Sequence, residues 1–260
     1  MHGEKLKGLG RLMLRSCPVG SASAAARKVS VPATLTLTLG LAFFTLIFAG
    51  SAEAAHCKSS PVAGLDWSHC NKSRLMLGGS DLESTNLFST DFSFTDLRDA
   101  NLKSANLEKA TLVRAWLAGA NAVKANFARV EAYRANFAEV SAEGASFESA
   151  ELQRVDFSRA RLTEANFEKT ELGRANFDEA VLRNTRFSFA NLSRADLSSA
   201  IIQGPIEFDR AFLFLTRIEG LDLSDARGLQ QAQIDAACGD VATKLPSGLS
   251  IPITWPCRFD

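Results

Sequence analysis

Histidine is almost missing from this 260-residue chain, with three in all, at positions 2, 56 and 69. None follows residue 69, so Ser-His and Cys-His nucleophilic pairs are excluded from everything C-terminal to it. Cysteine is also sparse: Cys17, Cys57, Cys70, Cys238 and Cys257. A zinc site built from Cys57, Cys70, His56 and His69 lacks the short Cys-x2–4-Cys spacing of structural zinc. Net charge is zero, from 29 basic and 29 acidic residues, which argues against nucleic-acid binding through a basic surface. Gly78-Gly79 has neither the lysine nor the helix context of a phosphate loop. No sequence motif points to a cofactor. Carboxylates are plentiful, so counting alone leaves a glycosidase-like pair open.

One long apolar run is present, Leu35 to Ala49, after a basic start containing Lys5, Lys7, Arg11, Arg15, Arg27 and Lys28. With Ala52 and Ala54 at −3 and −1, residues 1–54 are predicted to be a secretory signal cleaved after Ala54, with Met13 as an alternative translation start. The alternative is an inner-membrane anchor over residues 31–50, marginal in length for a span. Cleavage leaves 23 basic against 27 acidic residues, about −4, and four cysteines. An even cysteine count in an exported chain predicts disulfides, and placement favours Cys57–Cys70 and Cys238–Cys257, each closing a local loop.

From Leu77 to Ile202 every fifth residue is Leu, Phe, Ala or Ile: 14 Leu, 8 Phe, 3 Ala and 1 Ile in 26 positions. Two places before each, from Ser80 to Ala200, the residue is small: 16 Ala, 5 Thr, 3 Val and 1 Ser. Neither the 3.6-residue helix period nor the two-residue strand period fits. A flat-sided coil does, with one pentad per side, the small and large residues inward and three residues outward. Ala100-Asn101-Leu102, Ala105-Asn106-Leu107, Ala165-Asn166-Phe167, Ala175-Asn176-Phe177 and Ala195-Asp196-Leu197 repeat A-(D/N)-L-x-x. On these residues the chain resembles pentapeptide-repeat proteins over about 75–226.

The resemblance implies an all-β, right-handed, four-sided parallel β-helix with one coil per 20 residues. Phe137, Phe157 and Phe177 then share one side, and Phe127, Phe147, Phe167 and Phe187 the opposite one. One residue is inserted at Gln203-Gly204-Pro205, predicting a corner bulge and one more coil centred on Phe208, Leu213, Ile218 and Leu223. Solenoid ends need plugs. Residues 55–74, with Trp67, are predicted to supply one, ahead of the array at 75–202 and the bulge plus final coil at 203–226. Residues 227–260 supply the other, with a short helix in Leu229–Cys238 and an extended tail carrying Trp255.

Stacking by 20 lines up Arg114, Arg134, Arg154, Arg174 and Arg194 at the last pentad position of one side. Glu131, Glu151 and Glu171 lie on that side, each three residues before an arginine. This predicts a salt-bridged, solvated face; the functional alternative is an anion-binding strip. The next side carries Asp96, Asp99, Glu139, Asp156, Asp178, Glu179 and Asp196 against Arg98 and Arg159. Outward Trp116 and Tyr133 form a candidate contact patch. The function expected is a non-catalytic exported scaffold in a Gram-negative periplasm, contacting a protein or an envelope polymer. The family resemblance adds a DNA-mimic alternative directed at a type II topoisomerase, against which the modest charge, the arginine column and the export signal all stand.

Overall fold

The computed structural model describes residues 56–257. The basic and apolar stretch at 1–54, with its expected cleavage site, lies outside them.

Parallel bridges join residues 20 apart without interruption from Asp66↔Asn86 to Asn176↔Asp196, four bridge positions to each coil. Each bridge residue stands just before an inward large residue. Leu102 N–H donates to the Asn121 carbonyl at 2.7 Å, while Asn121 N–H donates to the Ala100 carbonyl at 2.9 Å. Coil is thereby tied to coil by backbone hydrogen bonds, which makes the described chain a β-helix solenoid. Among the described residues, only Val181–Leu182 (β1) and Ile201–Ile202 (β2) pair over more than one residue, and they do so in parallel.

Between bridges the chain turns. Ala105 N–H reaches back to the Leu102 carbonyl at 2.9 Å, and the same three-residue closure recurs from pentad to pentad. The third residue of the turn is left-handed, as a type II turn requires. Gly79, Gly119 and Gly144 take this position at φ 66–71°, but 25 non-glycine residues, nearly all at the same step, hold φ of 51–60°. The Asn/Asp preference at the bridge position has a local cause. Asn136 Oδ1 accepts the Ala138 N–H at 2.8 Å, and Asn121 Nδ2 donates to Asn101 Oδ1 of the preceding coil at 3.2 Å. One side chain thus braces the turn and links two coils.

The inward positions form a continuous core. Phe127, Phe147, Phe167 and Phe187 stack nearly parallel with centroids 4.8–5.2 Å apart, continuing to Phe208 at 5.5 Å. Phe137, Phe157 and Phe177 form the facing column and meet the first edge-on at 5.6–6.1 Å. Phe147 and Phe157 are fully buried. Threonines at the small inward positions donate to the preceding coil, as Thr170 does to the Phe147 carbonyl at 2.8 Å and Thr185 to that of Leu162 at 3.0 Å. Thr85, in the first coils, is buried with no partner for its hydroxyl. An unsatisfied buried hydroxyl is costly, so Thr85→Val should stabilise the protein by about 1 kcal/mol while Thr170→Val destabilises it. Paired thermal melts check both signs.

The single insertion is absorbed locally. Val181↔Ile201 keeps the 20-residue register, whereas Arg186↔Glu207, Asn191↔Phe212 and Asp196↔Arg217 are 21 apart. The extra residue therefore sits between Ile202 and Glu207, beside Gly204 at φ 139°. Phe208, Leu213, Ile218 and Leu223 line the final coil's interior.

At the N-terminal end the coil register runs back to Asp66, and Trp67 is buried at an inward position. Lys72 occupies the inward position one coil before Phe92. Its ammonium donates to the Cys57 carbonyl at 2.5 Å and lies 3.4 Å from the Trp67 ring centroid. Burial holds its pKa below the ordinary lysine value. Cys57 and Cys70 are bonded. At the other end, α1 (Gln231–Ala236) buries Ile234. Gln233 Nε2 donates to the Phe208 and Ala211 carbonyls at 2.9 and 2.8 Å, fastening α1 to the last coil. Leu215 N–H and Ile218 N–H, at that coil's open edge, donate to the Ala236 and Cys238 carbonyls. Cys238 is bonded to Cys257, and Trp255 Nε1 donates to the Ala237 carbonyl at 2.7 Å.

Candidate interaction surface

The five arginines of the sequence column occupy consecutive coils on the wall centred on Leu112, Ala132, Leu152, Leu172 and Leu192. All five are exposed and left-handed, at φ 54–60°. Register is set by the backbone: Arg134 N–H donates to the Gln153 carbonyl at 3.1 Å and Arg154 N–H to that of Gly173 at 2.9 Å. At the strand spacing of about 4.8 Å per coil, the five rungs span about 19 Å. Arg74 extends the column two coils further, past Phe94, whose ring lies 5.7 Å from the Arg74 guanidinium and 5.8 Å from that of Arg114.

The salt-bridged reading of this wall is not met. Among the described residues, none of these five guanidiniums forms an ion pair or a side-chain hydrogen bond to a carboxylate; the cations that do are Arg98, Lys103, Arg129, Arg159, Arg161, Lys169, Arg217 and Lys244. Glu131, Glu151 and Glu171 are exposed and make no ion pair either, although Glu171 accepts a hydrogen bond from Asn191 Nδ2 at 2.8 Å. Bridge register stacks these three glutamates directly upon one another. Like charges at strand spacing repel. The two columns run side by side, one acidic and one basic, separated by Tyr133, Gln153 and Gly173.

Tyr133 is 36% exposed with the Arg134 guanidinium 5.2 Å from its ring, and Trp116 is 47% exposed around the corner. The sequence pattern did not flag Phe212 and Phe214. They stand outward on the final coil of the same wall, 56% and 45% exposed, with ring centroids 6.2 Å apart. The inserted residue shifts Phe212 onto the bridge position above Asn191, a register visible in sequence only after the bulge is placed.

On the neighbouring acidic wall each arginine is engaged: Arg98 with Asp96 at 2.6 Å, Arg159 with Glu139 at 2.6 Å, Arg217 with Asp196 at 2.7 Å. The Arg98 side chain holds the Asp96 carboxyl below its usual pKa. An open groove of about 580 Å³ runs along a different corner beside the bulge, lined by Lys124, Gly144, Glu164, Asn184, Arg186, Pro205, Glu207 and Arg227. Among the described residues no cluster of His, Cys, Asp and Glu could hold a metal ion, and all four cysteines are disulfide-bonded. With its guanidiniums solvated, the arginine column adds little to the fold. Arg134→Ala with Arg154→Ala should keep stability within about 1 kcal/mol of the parent by chemical denaturation.

The family model described as pentapeptide repeats matches residues 73–103, 100–137, 133–168 and 160–198, in eight copies. No curated protein matches. Among solved structures, the chain is similar to HetL, a pentapeptide repeat protein involved in heterocyst differentiation regulation from the cyanobacterium Nostoc sp. strain PCC 7120. Identity is 20% over 75% of this chain and 88% of that one, with a TM-score of 0.38. It is also similar to QnrB1, a plasmid-mediated fluoroquinolone resistance protein, at 20% identity over 72% and 91%, TM-score 0.44. A pentapeptide repeat protein of the Arabidopsis thaliana thylakoid lumen is 28% identical over 50% and 69%, TM-score 0.18.

Proposed function

The chain belongs to the pentapeptide-repeat family of right-handed β-helix solenoids, and we propose that it is a non-catalytic, exported repeat scaffold. Its solenoid, closed at one end by the segment carrying Cys57–Cys70 and at the other by α1 with its tail, presents flat walls to a protein or envelope polymer in the periplasm. The observation carrying this reading is the pair of disulfides, Cys57–Cys70 and Cys238–Cys257, one at each end of the solenoid. Such bonds persist in oxidising compartments, in keeping with the basic and apolar segment ahead of Ala54. Exposed Trp116, Tyr133, Phe212 and Phe214 among arginines supply the residue types that dominate protein contacts.

Cell fractionation with N-terminal sequencing tests the reading. The expected product is periplasmic, begins after Ala54 and carries no free thiol. A cytoplasmic, uncleaved, reduced product sinks it. Mimicry of duplex DNA toward a type II topoisomerase is the second reading, supported by the acidic wall from Asp96 to Asp196. Inhibition of DNA supercoiling by the purified protein would favour it.

A further inference from the structure

The wall that carries the arginines is striped, and the stripes decide what fits it. Glu131, Glu151 and Glu171 form one stripe; Arg134, Arg154 and Arg174 form the other, at the same three coil levels. Among the described residues, neither stripe forms an ion pair. Each therefore repels itself along the stack while lying open to solvent.

We propose that this wall pairs with the same wall of a second copy, the two solenoids side by side and parallel. Consider a two-fold axis parallel to the stack, in the plane between facing walls. It exchanges left and right but leaves coil level unchanged. Glu131 of one copy then faces Arg134 of the other, Glu151 faces Arg154, Glu171 faces Arg174, and each pair occurs twice.

The levels without a glutamate follow the same rule. Asn191 faces Arg194, an amide oxygen against a guanidinium, and on the final coil Phe212 faces Leu215, apolar against apolar. Phe214 lies on the axis and meets its own copy. An antiparallel pairing would set arginine on arginine and glutamate on glutamate, so the stripes fix the orientation as well as the face. Such an interface is isologous, as closed two-fold assemblies require. A linear polyanion laid on the arginines fits less well, because three carboxylates share the wall and its C-terminal end is aromatic. The pairing goes beyond the scaffold reading and does not depend on it.

Sedimentation velocity on the purified full chain tests the pairing. The parent should dimerise with concentration, and its Kd should rise at least tenfold between about 50 mM and about 500 mM salt. Arg134→Glu, Arg154→Glu and Arg174→Glu together should give a folded monomer, as should Glu131→Arg, Glu151→Arg and Glu171→Arg together. An equimolar mixture of the two variants should form a 1:1 heterodimer. Should either triple variant lose its fold by circular dichroism, disulfide trapping decides: Gln153→Cys, near the axis, should cross-link under mild oxidation well above parent background. Thr163→Cys, on another wall, should not. A monomeric parent, variants that self-associate as the parent does, or equal cross-linking at both cysteines overturns the proposal. So does a parent that stays monomeric yet binds polygalacturonate through the arginines, which would reassign the wall to an anionic polymer.

Discussion

Phe157→Asp should leave no folded protein. Phe157 is fully buried, stacked at 5.4 Å on Phe177 and edge-on to Phe147 and Phe167 at 5.6 Å each. Its surroundings offer a carboxylate neither a cation nor free donors, since the backbone N–H groups of this region are committed to the inter-coil ladder. Even protonated, the side chain would lose the ring's burial and bring an unpaired polar group inside, together well above 5 kcal/mol. That is comparable with the whole stability of an ordinary domain, about 5–15 kcal/mol. Phe157→Leu separates charge from volume and should fold with a loss of about 1–2 kcal/mol. Solubility, circular dichroism and thermal melts distinguish the two. A soluble, cooperatively melting Phe157→Asp protein would mean that this position is not interior.

Gly239→Ala should have the second largest effect, confined to the C-terminal end. A methyl on Gly239 would lie well inside 3.0 Å of three ring carbons of Trp255. The ring cannot retreat freely, because its Nε1 is bonded to the Ala237 carbonyl and the Cys238–Cys257 bridge anchors the tail two residues later. Overpacking and the lost hydrogen bond together predict about 2–4 kcal/mol of destabilisation. The array would survive while the tail loosens, so trypsin should gain cleavage at Lys244 before global unfolding. An unchanged melting temperature with no new cleavage would contradict the packing of Trp255 on Gly239.

Much of this architecture is legible in the sequence because inward residues obey a strict spacing. Leu77 to Ile202 gave the coil length, Gln203-Gly204-Pro205 gave the place of the inserted residue, and the alternation from Phe127 to Phe187 gave the facing ring columns. Three features stayed hidden for identifiable reasons. Lys72 fills an inward position but is charged, so the apolar pattern starts later than the bridges do; the Cys57 carbonyl and the Trp67 ring make it tolerable there. The left-handed turn residue is Arg, Lys, Ser or Glu far more often than Gly or Asn, so residue type gave no signal, and tertiary hydrogen bonding imposes the conformation. Stacking by 20 placed Glu131 and Arg134 on one wall, but not whether their side chains meet. The absence of ion pairs for the arginine column is a matter of side-chain geometry, which spacing does not encode.

Each coil of this solenoid is bonded only to the coil above and the coil below, a topology in which stability sums over neighbours. An interior coil cannot peel away while both neighbours hold it, so fraying has two starting points, the first coil and the last. Both are stapled. Reduction of Cys57–Cys70 or Cys238–Cys257 would therefore convert an object that must come apart as a whole into one that unzips from a terminus, coil after coil.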